Sequence, residues 1–366
     1  MIRVLLVGGG PAGHVEPALA VGKWLTEQRA DVECEFLGTA EGLESQLVAQ
    51  SGFTLRTIRK AALPRRFTLS TLTWPFEFLL SLLGALTVVR SADVVVGFGG
   101  YVSAPAYLAA KLLRTPIIVH EANAMPGWAN RLGARFTRYV DIAFAGARNY
   151  GPEWQRAELV GMPIRSTIAE VSILSASART EIKTKLAALW DLDMSKPIIF
   201  IFGGSLGARS INSAVAEFVT TPEAGAFTII HSVGKNNPLP EGGRNYRPLA
   251  YVENMAEIYA VANLIISRSG AVSCAEIESV GVPAILVPLP VGNGEQEANA
   301  QDLLASGQAT VISNTQFTSS WLAGNILATM ERAKNFDRTL TSNPHAGAVA
   351  TIGKQILSVA TQSRGK

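Results

Sequence analysis

Residues 263–299 restrict the fold more than any other part of the chain. An apolar run, Asn263–Ile266, stops at Ser267-Arg268-Ser269-Gly270, and a helical pattern then runs from Ala271 to about Val280. Gly281-Val282-Pro283 breaks it, a second apolar run follows at Ala284–Pro288, and a glycine-rich loop, Pro290–Glu295, leads into a helix at Gln296-Glu297-Ala298-Asn299. This is strand–loop–helix–strand–loop–helix, the repeating unit of a parallel α/β sheet. Both loops fall where parallel strands end and helices begin, the ligand edge of such a sheet. Two helix N-termini, one opening at Ala271-Val272-Ser273, therefore direct free N–H groups and positive dipole ends at a ligand, which suits a diphosphate. Glu276 lies less than two turns into the first helix, where a carboxylate can accept from both hydroxyls of a ribose. Diphosphate plus ribose points to a nucleotide.

The same alternation runs through the rest of the chain. Apolar strand candidates are Val4–Val7, Val32–Leu37, Val94–Val96, Ile117–Val119 and Val140–Phe144, then Ile198–Phe202, Thr228–His231, Leu249–Val252, Leu264–Ile266 and Ala284–Val287. Helical stretches such as Ala18–Gln28 and Glu257–Ala262 lie between them. The fold class expected is α/β, with two Rossmann-like, doubly wound domains. The seam is expected at Gly161-Met162-Pro163-Ile164-Arg165, giving domains 1–163 and 164–345. A length of 366 residues accommodates both.

Lys+Arg 32 against Asp+Glu 29 leaves a net +3, too balanced to suggest a nucleic-acid partner. Two distant cysteines, Cys34 and Cys274, and histidines without HxxxH or HExxH spacing suggest neither a disulfide framework nor a protein-built zinc site. Met1 leads directly into a strand, with no secretory signal pattern, so a cytoplasmic protein is expected. Phe78–Val89 is too short to span a bilayer, which takes about 20 residues. Asp191-x-Asp193 precedes a strand, on the edge opposite the loops, and reads as a solvated turn rather than a metal-binding motif.

Four further loops follow strands. Gly8-Gly9-Gly10-Pro11-Ala12-Gly13-His14 satisfies G-x-G-x-x-G, but the second strand ends Phe36-Leu37-Gly38-Thr39 with no carboxylate at its tip, which argues against a dinucleotide. His14, at the helix start, is placed for proton transfer or a phosphate contact. Gly97-Phe98-Gly99-Gly100-Tyr101-Val102-Ser103 offers a second anion or sugar contact. His120-Glu121-Ala122-Asn123 puts a carboxylate and an amide at a strand's carboxyl end. Gly203-Gly204-Ser205-Leu206-Gly207-Ala208 can cradle a diphosphate with backbone N–H groups and the Ser205 hydroxyl.

These motifs, in this order, resemble the MurG family, the peptidoglycan N-acetylglucosaminyltransferases of glycosyltransferase family 28. The family patterns are GGTGGH, GxGGYVS, HEQN, GNPVR, GGSxGA, F-I-x-x-M and the final Gln-containing loop. Here Pro11, Ala12, Ala122, Met162 and Glu295 depart from them. The resemblance implies the GT-B architecture, two domains facing across a cleft, with the last helix, about 346–366, rejoining the first domain. It implies inverting transfer of N-acetylglucosamine from UDP-N-acetylglucosamine to the 4-hydroxyl of the MurNAc in undecaprenyl-diphospho-MurNAc-pentapeptide, lipid I to lipid II. His14 and Glu121 are the two candidate bases, and both stay open. It implies donor contacts at Pro11, Ala12, Gly13, Asn123, Arg165, Ser205, Val252, Ala271, Val272, Ser273, Glu276 and Gln296. The acceptor loop would be Gly99, Gly100, Tyr101 and Ser103. No cofactor is implied, and no metal ligand is named. A role in cell-wall synthesis, cell shape and division is implied, with proteins of those processes as candidate partners. The rival readings are a UDP-N-acetylglucosamine 2-epimerase on the same fold and a non-catalytic nucleotide-sugar binder.

A polyprenyl acceptor requires work at a bilayer. Arg59, Lys60, Arg65 and Arg66 precede large apolar groups, so Arg65, Arg66, Phe67, Leu69, Leu72 and Trp74 are expected to form a surface for an anionic membrane, on the cytoplasmic face. Leu79–Val89 is expected to face the core.

Overall fold

Nearly continuous apolar runs such as Val94–Val96 and Ile198–Phe202 leave no polar face for water, so they pair in parallel and take helices on both sides. The computed structural model describes residues 1–10, 12–63, 69–290, 292–336 and 343–364. The chain divides into unit 1, Met1–Arg165 with His345–Lys366, and unit 2, Ser166–Pro344. The division after Arg165 falls two residues beyond the position read from the sequence.

Unit 1 holds β1 (Ile2–Val7), α1 (Ala12–Gln28), β2 (Val32–Gly38), α2 (Leu43–Gln50), β3 (Thr54–Thr57), α3 (Leu69–Val89), β4 (Val94–Gly97), α4 (Ser103–Leu113), β5 (Ile117–Glu121), α5 (Trp128–Ala134), β6 (Tyr139–Ile142), α6 (Pro152–Gln155) and β7 (Glu158–Leu159). Its parallel sheet runs β3-β2-β1-β4-β5-β6-β7. The order reverses between β1 and β4, whose last residues, Val7 and Gly97, are register partners. Both strands' following loops open at that switch point, the ligand position of doubly wound sheets.

Unit 2 holds α7 (Ser166–Ala169), α8 (Ala176–Trp190), β8 (Ile198–Phe202), α9 (Arg209–Phe218), β9 (Thr228–Ser232), β10 (Tyr246–Leu249), α10 (Met255–Val261), β11 (Leu264–Ser267), α11 (Ala271–Val280), β12 (Ala284–Leu286), α12 (Glu295–Asn299), α13 (Gln301–Ala305), β13 (Ala309–Val311) and α14 (Ser319–Lys334). Its sheet runs β10-β9-β8-β11-β12-β13, with the switch between β8 and β11, where Phe202 and Ser267 are partners. The strand expected at Leu249–Val252 lies at Tyr246–Leu249 instead. It contains Pro248, which cannot donate to a ladder and is tolerated because β10 is an edge strand. Asp191 caps α8 in the left-handed region, and Asp193 accepts from Ser195 N–H at 3.1 Å, so this pair forms a turn.

The chain then returns to unit 1 as α15 (Ala348–Arg364). Ile352, Ile356, Val359 and Ala360 complete the core against β1, β4 and α1. The approach to α1 is close: a Cβ at Gly353 would lie 2.3 Å from the Trp24 ring.

On the opposite side of the sheet, α3 buries Ser81, Ala85 and Val89. Leu79–Val89 was expected to face the core, but Leu79 and Leu83 are half exposed, in line with Leu72, where exposure was expected, and Phe76. Their spacing of 4, 3 and 4 residues makes one continuous apolar stripe. The window Leu72–Val89 is long and apolar enough to cross a bilayer, with 17% of it buried, which corrects the shorter span read from Phe78. Because α3 covers the sheet with its inner side, the stripe belongs to a surface helix. Trp74 Nε1 donates to the Ala61 carbonyl at 3.3 Å. Arg65, Arg66 and Phe67 lie outside the described residues, as does the side chain of Leu69.

Candidate active site

In unit 1 the loop after β1 brings His14 into the first turns of α1. Its Nδ1 lies 3.2 Å from the Gly9 carbonyl oxygen. A carbonyl only accepts, so Nδ1 carries the hydrogen and Nε2 keeps its lone pair. The ring stands against the second glycine loop. Gly99 has φ +101°, and a Cβ there would sit 3.2 Å from His14 Nε2. Gly100, φ +84°, lies so close to the first loop that a Cβ would meet the Gly9 oxygen at 2.1 Å. Glycines at these positions thus let two loops close on one imidazole.

Glu121 ends β5 and is 2% exposed. Its Oε1 accepts from the Asn123 N–H at 2.9 Å and Asn123 Nδ2 at 3.2 Å. Its Oε2 accepts from the Gly127 N–H at 3.0 Å and Asn130 Nδ2 at 2.9 Å. Four donors make this buried carboxylate a scaffold for the β5–α5 loop. Behind it, the Tyr107 hydroxyl donates to Asn130 Oδ1 at 2.7 Å, and burial pushes that phenol well above its usual range. His120 points to the other face of the sheet. Its Nε2 donates to the Gly161 carbonyl at 2.9 Å, and burial, with the His345 charge adding, depresses its pKa to about 4.

Tyr101 and Ser103 occupy the second loop and the start of α4. The Ser103 hydroxyl donates to the Gly99 carbonyl at 2.8 Å and so holds the loop. The Tyr101 hydroxyl lies 3.1 Å from Thr39 Oγ1. The carboxylate missing from the tip of β2 is supplied from five residues further on. Glu44, wholly buried, accepts at Oε1 from the Thr39 N–H (3.0 Å) and hydroxyl (2.8 Å), and at Oε2 from the Gly10 N–H (3.3 Å). Sequence reading missed it. Its one signal is the company of Gly38 and Gly42, where a Cβ would collide with the Glu44 side chain. Gly13 sits in α1 beside His14, Ala12 is the first residue of α1, and Pro11 lies outside the described residues. Arg165 is half-buried at the last position of unit 1.

Unit 2 presents a different set of groups. The loop Gly203–Ala208 turns through Gly204 (φ +90°) and Gly207 (φ +74°) into the N-terminus of α9, with Ser205 half-buried in it. Ala271, Val272 and Ser273 form the first turn of α11, and just before it Ser269 is fully buried with its hydroxyl unpartnered. Arg268, 9% exposed, donates to the Val287 (3.0 Å) and Pro288 (3.2 Å) carbonyls and to Ser210 Oγ (2.8 Å). It thereby holds the end of β12 against α9. Glu276 is buried in the second turn of α11, and the Tyr259 hydroxyl donates to its Oε2 at 3.0 Å. Gln296 Oε1 accepts from the Leu289 N–H at 2.9 Å and closes the last loop. Val252 is buried just after β10, and beside it the Lys235 ammonium lies 4.3 Å from the Tyr251 ring centre. The two units thus assemble separate sets of groups: a tautomer-defined imidazole in one, and two helix N-termini with hydroxyls and a buried carboxylate in the other.

Residues 4–141 match the glycosyltransferase family 28 N-terminal domain, and residues 198–355 match the glycosyltransferase family 28 C-terminal domain. The chain is similar to the UDP-N-acetylglucosamine–N-acetylmuramyl-(pentapeptide) pyrophosphoryl-undecaprenol N-acetylglucosamine transferase of Corynebacterium diphtheriae, 41% identical with 98% of this chain and 97% of that one covered. The Frankia casuarinae transferase of the same name is 39% identical, covering 100% and 98%. Among solved structures, Acinetobacter baumannii MurG superposes with a TM-score of 0.71 at 26% identity, covering 98% of this chain and 100% of that one. A UDP-GlcNAc 2-epimerase from Neisseria meningitidis, solved with UDP-GlcNAc, gives 0.62 at 14% identity, with 98% and 100% covered, a likeness of fold.

Proposed function

The chain belongs to glycosyltransferase family 28, and on that premise we propose that it transfers N-acetylglucosamine from UDP-N-acetylglucosamine to the 4-hydroxyl of MurNAc in undecaprenyl-diphospho-MurNAc-pentapeptide, with inversion. The observation that carries this reading is the likeness, over 98% of the chain, to an enzyme named for this reaction. The epimerase reading rests on 14% identity and a shared fold, and nothing in the site favours it over transfer.

In the reaction, the acceptor oxygen attacks the anomeric carbon as the bond from that carbon to the phosphate oxygen breaks. UDP leaves with the bonding electron pair. The acceptor's proton passes to His14 Nε2, which has the lone pair to take it. Glu121 is a positioning residue: its oxygens are occupied by loop donors, and it fixes Asn123 for its contact with the donor sugar. The N-termini of α9 and α11, with the hydroxyls of Ser205 and Ser269, stabilise charge on the leaving diphosphate. Glu276, steadied by Tyr259, takes the ribose hydroxyls.

The enzyme works as a peripheral protein on the cytoplasmic face of the membrane. The exposed stripe Leu72–Phe76–Leu79–Leu83 supports this, since a continuous apolar surface on the unit that holds the proposed acceptor loop suits the lipid that carries the acceptor. The deciding test is incubation with labelled UDP-N-acetylglucosamine and a lipid I analogue. Label on the lipid product is expected. Free N-acetylmannosamine or an epimerised nucleotide sugar without lipid acceptor would overturn the reading.

A further inference from the structure

We infer that Glu44 is a positioning residue for His14, acting through the single peptide group that joins Gly9 to Gly10. The Gly10 N–H donates to Glu44 Oε2 at 3.3 Å. The Gly9 carbonyl accepts from His14 Nδ1 at 3.2 Å. That N–H and that carbonyl belong to one trans peptide unit, so they point in opposite directions. Carboxylate, peptide and imidazole therefore stand in line, each hydrogen bond polarising the next.

The arrangement answers a difficulty in placing a base here. His14 is near the start of the 17-residue helix α1, whose dipole opposes the positive charge an imidazole gains when it takes a proton. A negative charge behind the Gly9–Gly10 peptide makes the Gly9 oxygen a better acceptor and offsets that penalty. Glu44 is built into this position. It is fully buried, its other oxygen is fixed by the Thr39 N–H and hydroxyl, and Thr39 in turn meets Tyr101 of the second loop. A Cβ at Gly9 would sit 3.2 Å from Glu44 Oε1 and 2.9 Å from Val102, so the peptide has little freedom to turn. The other charged or titratable groups of these segments are Glu16, Lys23 and Glu27 on α1, Glu41 before α2, Tyr101 with Lys60 5.9 Å from its ring centre, and Glu121 behind Asn130. Glu44 alone of these bonds the peptide that holds His14.

The inference rests on His14 as the base, and its test separates the two claims. In Glu44→Gln the shape is kept and the charge removed. Plateau kcat is expected to fall about tenfold, the acid limb of its pH profile to move to lower pH, and the donor KM to stay unchanged. A residue that only supported the fold would lower thermal stability without moving that limb. The second readout needs no turnover: in ¹⁵N-detected NMR, His14 of the native chain carries its proton on Nδ1 when neutral, and its titration midpoint falls in Glu44→Gln. Glu44→Asp, which draws the charge back from the Gly10 N–H, shifts the midpoint the same way by less, and serves if Glu44→Gln does not fold. A native His14 protonated on Nε2, or a midpoint unchanged in the folded variants, overturns the inference. Absence of lipid product from the native enzyme would overturn the proposed function and leave the NMR result standing.

Discussion

In unit 1 the loops flanking the β1–β4 junction close around carboxylates: Glu44 takes three donors from one side and Glu121 four from the other. In unit 2 the loops flanking the β8–β11 junction surround a guanidinium, Arg268, and a buried hydroxyl with no partner, Ser269. The sheets share a winding and both direct helix N-termini at their switch points. The difference teaches that the fold supplies positive helix ends in either case, and that the loops decide their use. On the proposed mechanism, the unit whose loop N–H groups are taken by buried carboxylates holds the base, and the unit whose loops leave donors over holds the anion.

The sharpest way to break this contrast is to remove one group from each side. His14→Ala is expected to lower kcat about 10²–10⁴-fold with an unchanged donor KM. Steady-state kinetics that show a full kcat would remove proton transfer from unit 1. Glu276→Ala should show the converse pattern, a donor KM raised about ten- to hundredfold with kcat little changed. If a folded Glu276→Ala protein keeps its donor KM, the ribose is held elsewhere and unit 2 loses its part in the comparison.

A smaller effect is expected at the outer side of α3, which has no counterpart assigned in unit 2. Leu72→Glu with Phe76→Ser should reduce co-sedimentation with anionic vesicles about tenfold while leaving UDP-N-acetylglucosamine binding intact. Equal sedimentation of variant and native protein would exclude this stripe as the lipid contact.

The smallest effect is on stability against pH, and it differs between units. In unit 1, burial raises Asp141 to about 7, the Gln355 hydrogen bond opposing, with Glu158 adding. The folded form holds that proton more tightly than an unfolded chain does. The stability it contributes is complete below the unfolded value near 4 and is lost as pH rises to about 7. His120 in unit 1 and His231 in unit 2 are both depressed to about 4, chiefly by burial. Theirs is complete above the unfolded value of 6.5 and is lost as pH falls to about 4. Unit 1 is thus weakened from both sides and unit 2 from the acid side. Asp141→Asn should stabilise unit 1 by on the order of 1–3 kcal/mol at pH 8 and by little at pH 4. Denaturant melts at the two pH values, showing equal gains, would contradict the assignment.

Much of unit 2's site was legible because local signals mark it. Gly270 and Gly281 bracket α11, and Glu276 is placed by counting turns from the first. Glu44 was not legible, since its partners are two backbone N–H groups and one threonine hydroxyl and its sequence setting, Glu-Gly-Leu-Glu-Ser, is that of an ordinary helix start. Only the return of the chain over Gly38 and Gly42 brings it under the loop. The choice between His14 and Glu121 depends on the number of donors around each, which no spacing encodes. The exposure of Leu79 and Leu83 escaped notice because they look like Ala85 and Val89 in a run that is apolar all round. β10 was displaced in the reading because Pro248 interrupts its pattern.

The return of α15 to unit 1 has a consequence for how the molecule is made. Residues 166–344 form one uninterrupted stretch, so unit 2 can fold as soon as its own residues have left the ribosome. Unit 1 cannot close at that moment, although most of it was synthesised earlier. The groove on α1, β1 and β4 that takes Ile352, Ile356 and Val359 stays uncovered until translation has passed residue 360. The half of the protein that is made first is therefore finished last, and during the interval its open groove is a surface for a chaperone to hold.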